Sequence, residues 1–129
     1  MRLLPHCMSL KKEPSYEEIA EDILVELGAS RSISGFRYMA WAVKCVAEDS
    51  GKLRNIVKGL YVEGGIYFDV SGSSFERAIR QLLDVTIRNA DKRTAKAYEI
   101  FGDNLDDICP SNKMAIAILA AEAKKRKRG

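Results

Sequence analysis

A chain of 129 residues and 14.4 kDa has room for one hydrophobic core and not for two independent ones. Its 47% hydrophobic and 30% charged residues are the balance of an ordinary soluble globular protein, and no apolar run approaches the ~20 residues needed to cross a bilayer. The net charge of +3 conceals an asymmetry: Lys124, Lys125, Arg126, Lys127 and Arg128 contribute five positive charges, which leaves the remainder at −2.

Residues 1–14 carry no periodicity and are expected to be a flexible leader. The opening MRLLPHCMSL is too short and too broken by Pro5 and His6 to be a signal peptide, so a cytoplasmic protein is expected. His6 beside Cys7 has the elements of a metal or nucleophile–base pair but no further ligands near it. It is the only histidine in the chain, which argues against a histidine-dependent triad. The three cysteines, Cys7, Cys45 and Cys109, are odd in number and widely spaced; they show neither a disulfide framework nor a CxxC metal spacing.

Ser15 opens the first helix, with Glu18 completing a capping box. Tyr16, Ile19, Ala20, Ile23, Leu24 and Leu27 follow at helical spacing, and Gly28 supplies the stop. A second helix runs from about Gly35 to Glu48, with Phe36, Met39, Ala40, Val43, Val46 and Ala47 as its core stripe. Cys45 lies near that side as a small hydrophobe, and Tyr38 and Trp41 read as packing aromatics. The spacing predicts a short third helix over Lys52–Leu60, with Leu53, Ile56, Val57 and Leu60 inward.

From about 62 to 89 the pattern is helix, tight polar turn, longer amphipathic helix. The turn is Asp69-Val70-Ser71-Gly72-Ser73, rich in N-cap candidates. Beyond it Phe75, Ala78, Ile79, Leu82, Val85 and Thr86 form one apolar face. Ser73, Ser74, Glu76, Arg77, Arg80, Gln81, Asp84 and Arg88 gather on the opposite arc. That is the layout of a helix-turn-helix, whose second helix presents its N-terminal polar side to a DNA major groove. The same periodicity also describes an ordinary surface helix. Gly64 and Gly65 count against the first helix of the motif, at about 1 kcal/mol each relative to Ala.

Thr94 to Phe101 reads as another short helix with Ala95, Tyr98 and Ile100 apolar, closed by Gly102. Asp103-Asn104-Leu105-Asp106-Asp107 lacks the Gly and terminal Glu of a calcium loop and is read as a solvated acidic turn. Pro110-Ser111-Asn112 launches the last helix, with Met114, Ile116, Ala117, Leu119 and Ala120 apolar, and 124–129 is a basic tail. The IYFDV run at 66–70 has β-propensity but is short and falls where the turn is needed. The expected fold is all-α, a compact bundle of about six helices, with the domain at 15–123.

In this order the segments resemble the C-terminal DNA-binding effector domain of the stage zero sporulation protein A family, over about residues 16–122. The resemblance is carried by ELG at 26–28, ISGFRYMAWAV at 33–43, KGLY at 58–61, SSFERAIRQLLDV at 73–85, Phe101-Gly102 and Pro110-Ser111-Asn112. It implies a six-helix domain that reads a TGTCGAA-type box, binds tandem boxes as a homodimer and contacts the RNA polymerase sigma subunit. By position Glu76, Arg77 and Arg80 match the family's base readers. Chemistry agrees: Arg donates bidentately to guanine, and a carboxylate accepts from cytosine N4. Ser74 stands where the family has arginine, so one base contact is altered, and Gln81 completes the base-reading set. Ser71, Ser73, Arg88, Lys124, Lys125 and Arg126 are the candidate phosphate contacts. The family's receiver domain needs over a hundred residues and does not fit upstream of Tyr16, so action without a receiver is expected.

Two functions fit these residues. One is a sequence-specific DNA-binding regulator. The other is an interaction module or antagonist that keeps the fold and has lost specific reading, a view to which Ser74 and the double glycine lend weight. For the KKRKR run, a solvated helix end and nonspecific phosphate contact both stand. An enzyme is not expected: the carboxylate pairs Glu17/Glu18 and Asp106/Asp107 have no partner base or nucleophile, and Gly64-Gly65 lacks the Lys and Ser/Thr of a phosphate loop. No cofactor, metal or membrane partner is implied.

Overall fold

A computed structural model describes residues 13–128, so His6 and Cys7, with most of the expected leader, lie outside the described residues. Six α-helices make up the domain: α1 (Tyr16–Glu26), α2 (Ser34–Glu48), α3 (Leu60–Phe68), α4 (Gly72–Thr86), α5 (Ala95–Phe101) and α6 (Asn112–Arg128). Among the described residues there is no strand, and 66–68 of the IYFDV run is helix.

The local signals explain where α1 begins. Ser15 Oγ accepts from the Glu18 N–H at 3.1 Å, and the Ser15 N–H donates to Glu18 Oε1 at 2.8 Å. Its stripe Ile19, Ala20, Ile23, Leu24 and Leu27 is buried. α2 is the central element, packed against α1, α4 and α6. Every expected stripe residue of α2 is buried, and Trp41 and Ala42 join them. Aromatic rings tie α2 to the helix-turn-helix: Tyr38 stacks on Phe75 at 5.0 Å between centroids, and Trp41 meets the same ring edge-on at 5.7 Å.

The expected helix over Lys52–Leu60 is not formed. A 3₁₀ turn spans Ser50–Leu53, turns follow to Gly59, and Leu60 begins α3. Ile56 and Leu60 are buried as expected, but Val57 is 66% exposed. Asn55 takes a positive φ of 54°, which a continuous helix would not allow. In α5, Ala97 is the buried residue, not Ala95. In α6, Ala115, Ile116, Leu119, Ala120 and Ala123 face inward, whereas Met114 is exposed.

The acidic turn is solvated as expected, with Asp103, Asp106 and Asp107 exposed, but it and the basic run both gain partners in the fold. The acidic turn is pinned from beneath: Leu105 is buried, and Asp106 accepts from the Tyr98 hydroxyl at 2.7 Å and pairs with Arg93. The Arg93 side chain is only 4% exposed and also donates to the Ile87 carbonyl at 2.6 Å. The basic run continues α6 as helix through Arg128. Arg126 donates through two nitrogens to Glu26 at 2.8 and 3.0 Å and through Nε to Glu122 at 2.9 Å. Lys127 donates to the Pro14 carbonyl at 3.1 Å and lies over the Tyr16 ring.

Candidate nucleic-acid interface

α3 ends in a Schellman turn. The Val70 N–H reaches back to the Gly65 carbonyl at 2.8 Å and the Asp69 N–H to the Ile66 carbonyl at 3.3 Å, with Asp69 left-handed at φ 61°. Ser71 then caps α4, its Oγ accepting from the Ser74 N–H at 3.0 Å and donating to Ser74 Oγ at 2.9 Å. Only two residues, Val70 and Ser71, separate the left-handed stop from the new helix. This is the tight turn of a helix-turn-helix.

The glycine pair makes that turn possible. A Cβ on Gly64 would stand 2.4 Å from the Phe75 ring, and one on Gly65 would stand 2.5 Å from the Val70 carbonyl oxygen. The two helices cross on bare backbone, so the weakness expected of this pair is a packing requirement.

Phe75, Ile79, Leu82, Leu83 and Thr86 bury the back of α4. Leu83 belongs to that face in place of Val85, which is 49% exposed. Thr86 satisfies its hydroxyl on the Leu82 carbonyl at 2.8 Å. On the outer side Ser73, Ser74, Arg77, Arg80 and Gln81 are all exposed. The first-turn N–H groups of Gly72 and Ser73 lie where a helix leaves its donors unpaired. A phosphate would suit them.

Glu76 is turned to one side and half-buried. Its carboxylate pairs with Arg80 one turn on and accepts from Asn112 Nδ2 of α6 at 2.9 Å. The hydrogen bond that Arg80 donates to Glu76 raises the Arg80 pKa, so the guanidinium is charged at every working pH. Burial pushes the Tyr61 phenol up as well, keeping it neutral beneath this cluster. Arg88, 19% exposed at its side chain, donates to the Pro110 carbonyl at 3.1 Å, to Asp84 at 2.9 Å and to Asn112 Oδ1 at 2.7 Å. An open groove of about 720 Å³ runs beside these residues, walled by Ile56, Val57, Val62, Glu76, Arg80 and Lys113.

The fold therefore brings Ser71, Ser73, Ser74, Glu76, Arg77, Arg80 and Gln81 onto the start of one helix. It does not bring the basic run there: Lys124 lies roughly 18 Å along α6 from Asn112, at about 1.5 Å per residue. Asn112 and Lys113 join the site from α6, and sequence reasoning missed both. The Pro-Ser-Asn signal marked only a helix start, because nothing local records a partner 36 residues away.

The residue pattern described as "Sporulation initiation factor Spo0A C terminal" matches residues 20–123. The chain belongs to that family. The Spo0A C-terminal family is one of DNA-binding effector domains, not of enzymes, and the chain is a DNA-binding regulator of that general kind. Its double-stranded DNA partner follows from this membership. No helix among the described residues is long and apolar enough to cross a membrane. Among the described residues, no group of three or more His, Cys, Asp and Glu could hold a metal ion.

Proposed function

We propose that this Spo0A C-terminal domain reads DNA sequence by itself, laying the start of α4 in the major groove of a TGTCGAA-type box. Arg77 and Arg80 donate to guanine O6 and N7, and Glu76 accepts from cytosine N4. Ser74, which stands in place of the family's arginine, and Gln81 contact neighbouring base edges. Ser71 and Ser73 take phosphates at the helix start, and Arg88, Lys124, Lys125 and Arg126 serve the flanking backbone. Arg88 and Arg126 are already paired within the protein, so they would share a guanidinium with the phosphate.

The observation that carries this reading is the asymmetry of α4: an apolar back fixed in the core and an N-terminal polar face left open to solvent. The surface is built before DNA arrives. On tandem boxes the binding unit is a homodimer, and the RNA polymerase sigma subunit is the protein partner, as the family resemblance implies. The competing view of an interaction module without specific reading loses one support, since Gly64 and Gly65 are what the α3–α4 crossing demands.

Fluorescence anisotropy on labelled duplexes tests the reading, with tandem boxes against a scrambled duplex at low and near-physiological salt. A preference for the box that survives added salt is expected. Equal binding that vanishes with salt would replace this reading with the interaction module.

A further inference from the structure

We propose that Asn112, at the start of α6, is a positioning residue for base reading: its amide holds Glu76, and through Glu76 it sets where the Arg80 guanidinium stands. The inference rests on the reading above, that α4 reads base edges.

The amide sits between one charge of α4, Glu76, and one just past its end, Arg88. Asn112 Nδ2 donates to Glu76 Oε2 at 2.9 Å, while Arg88 donates to Asn112 Oδ1 at 2.7 Å. An inverted amide would set its NH₂ against a guanidinium and its oxygen against a carboxylate, so the neighbours fix its orientation. Arg88 is itself held by the Pro110 carbonyl and by Asp84. The acceptor side of Asn112 is thus anchored to a cation with little room to swing.

The donor side does the positioning. Arg80 donates from Nε to Glu76 Oε2 at 3.3 Å and from NH2 to Oε1. That contact uses the Nε edge of the guanidinium. It leaves NH1 and the second NH2 hydrogen, the end-on fork that suits guanine O6 and N7. An exposed Glu–Arg pair one turn apart is by itself a loose device, since two long side chains must be held at once. Here the carboxylate has a second partner on another helix, Asn112, and the Glu76 side chain is 27% exposed against 50% for Arg80. With Glu76 fixed, Arg80 has fewer states to lose when it meets a base.

The test compares the 129-residue chain with Asn112→Ala, alone and combined with Arg80→Ala or Arg77→Ala, on box and scrambled duplexes at one salt concentration. Asn112→Ala should weaken box binding about tenfold, the size of one hydrogen bond to a charged group, and weaken scrambled-duplex binding far less. The effect should disappear in the Arg80→Ala background and persist in full with Arg77→Ala. Asn112→Asp, which still accepts from Arg88 but turns a carboxylate toward Glu76, should lose at least as much and serves if the alanine variant does not fold. In the DNA-free protein, NMR should show faster hydrogen exchange at Arg80 Nε–H in Asn112→Ala. Equal losses on both duplexes, the same loss without Arg80, or an unchanged Nε–H exchange would overturn the positioning role. A wild-type chain with no box preference would overturn base reading itself, before any variant is compared.

Discussion

Arg77 and Arg80 carry the same charge three residues apart, yet the fold treats them differently. Arg77 is exposed and has no hydrogen-bond or ion-pair partner among the described residues, whereas Arg80 is braced by Glu76. Each alanine variant should lose about 1–3 kcal/mol of discrimination between box and scrambled duplex, read by anisotropy. Their effect on stability should be small, because the Glu76–Arg80 pair is an exposed helix pair. An unchanged box preference in both variants would remove α4 from the reading. Gly64 makes the opposite case. A methyl there meets the Phe75 ring at 2.4 Å, so Gly64→Ala should destabilise by about 2–3 kcal/mol despite alanine's better helix propensity. Thermal unfolding checks it, and a raised Tm would show that the crossing has room to spare.

At the scale of elements, caps were legible and irregular turns were not. Ser15 with Glu18 and Ser71 with its serine neighbours act over three residues, a range within which residue identity largely decides hydrogen bonding. Ser71→Ala should cost about 1 kcal/mol by urea unfolding and disturb the first turn of α4. No loss of stability would mean that Ser73 or Ser74 takes over the cap. The segment from Lys52 to Gly59 had the right apolar spacing for a helix and did not form one. Asn55 turns left-handed there and leaves Val57 outward, and a period of 3.6 holds no record of such a break. Val85 and Met114 are apolar yet exposed for a related reason: an apolar residue at the edge of a stripe faces whatever its neighbours leave open.

Across the whole molecule α6 runs from α4 to the end of α1, where Arg126 locks onto Glu26. The Arg126 hydrogen bond holds the Glu26 carboxyl below its ordinary value of 4.5. Its folded pKa therefore lies below its unfolded one, and the stabilisation is present above that unfolded value and lost as pH falls through the folded one. Wild type should unfold at higher urea than Glu26→Gln at pH 7, and the gap should narrow progressively as pH falls below the ordinary value of 4.5. A gap constant with pH would assign the difference to packing. Burial pushes the Cys45 thiol up to about 11, while Cys109 is exposed. In peptide mapping after alkylation near pH 8, the Cys109 peptide should be modified well before the Cys45 peptide.

By itself the sequence determined the all-α class, the capped starts of α1 and α4, the core stripe of α2 and the polar face that holds Ser74, Arg77, Arg80 and Gln81. These rest on periodicity and on hydrogen bonds closed within four residues, which a linear pattern carries. Only the tertiary structure decided that Gly64 and Gly65 are a crossing point, that the basic run is helix clamped to α1, and that Asn112 stands between Glu76 and Arg88. Each depends on atoms from segments far apart in the chain, and packing brings such atoms together without leaving a local signature.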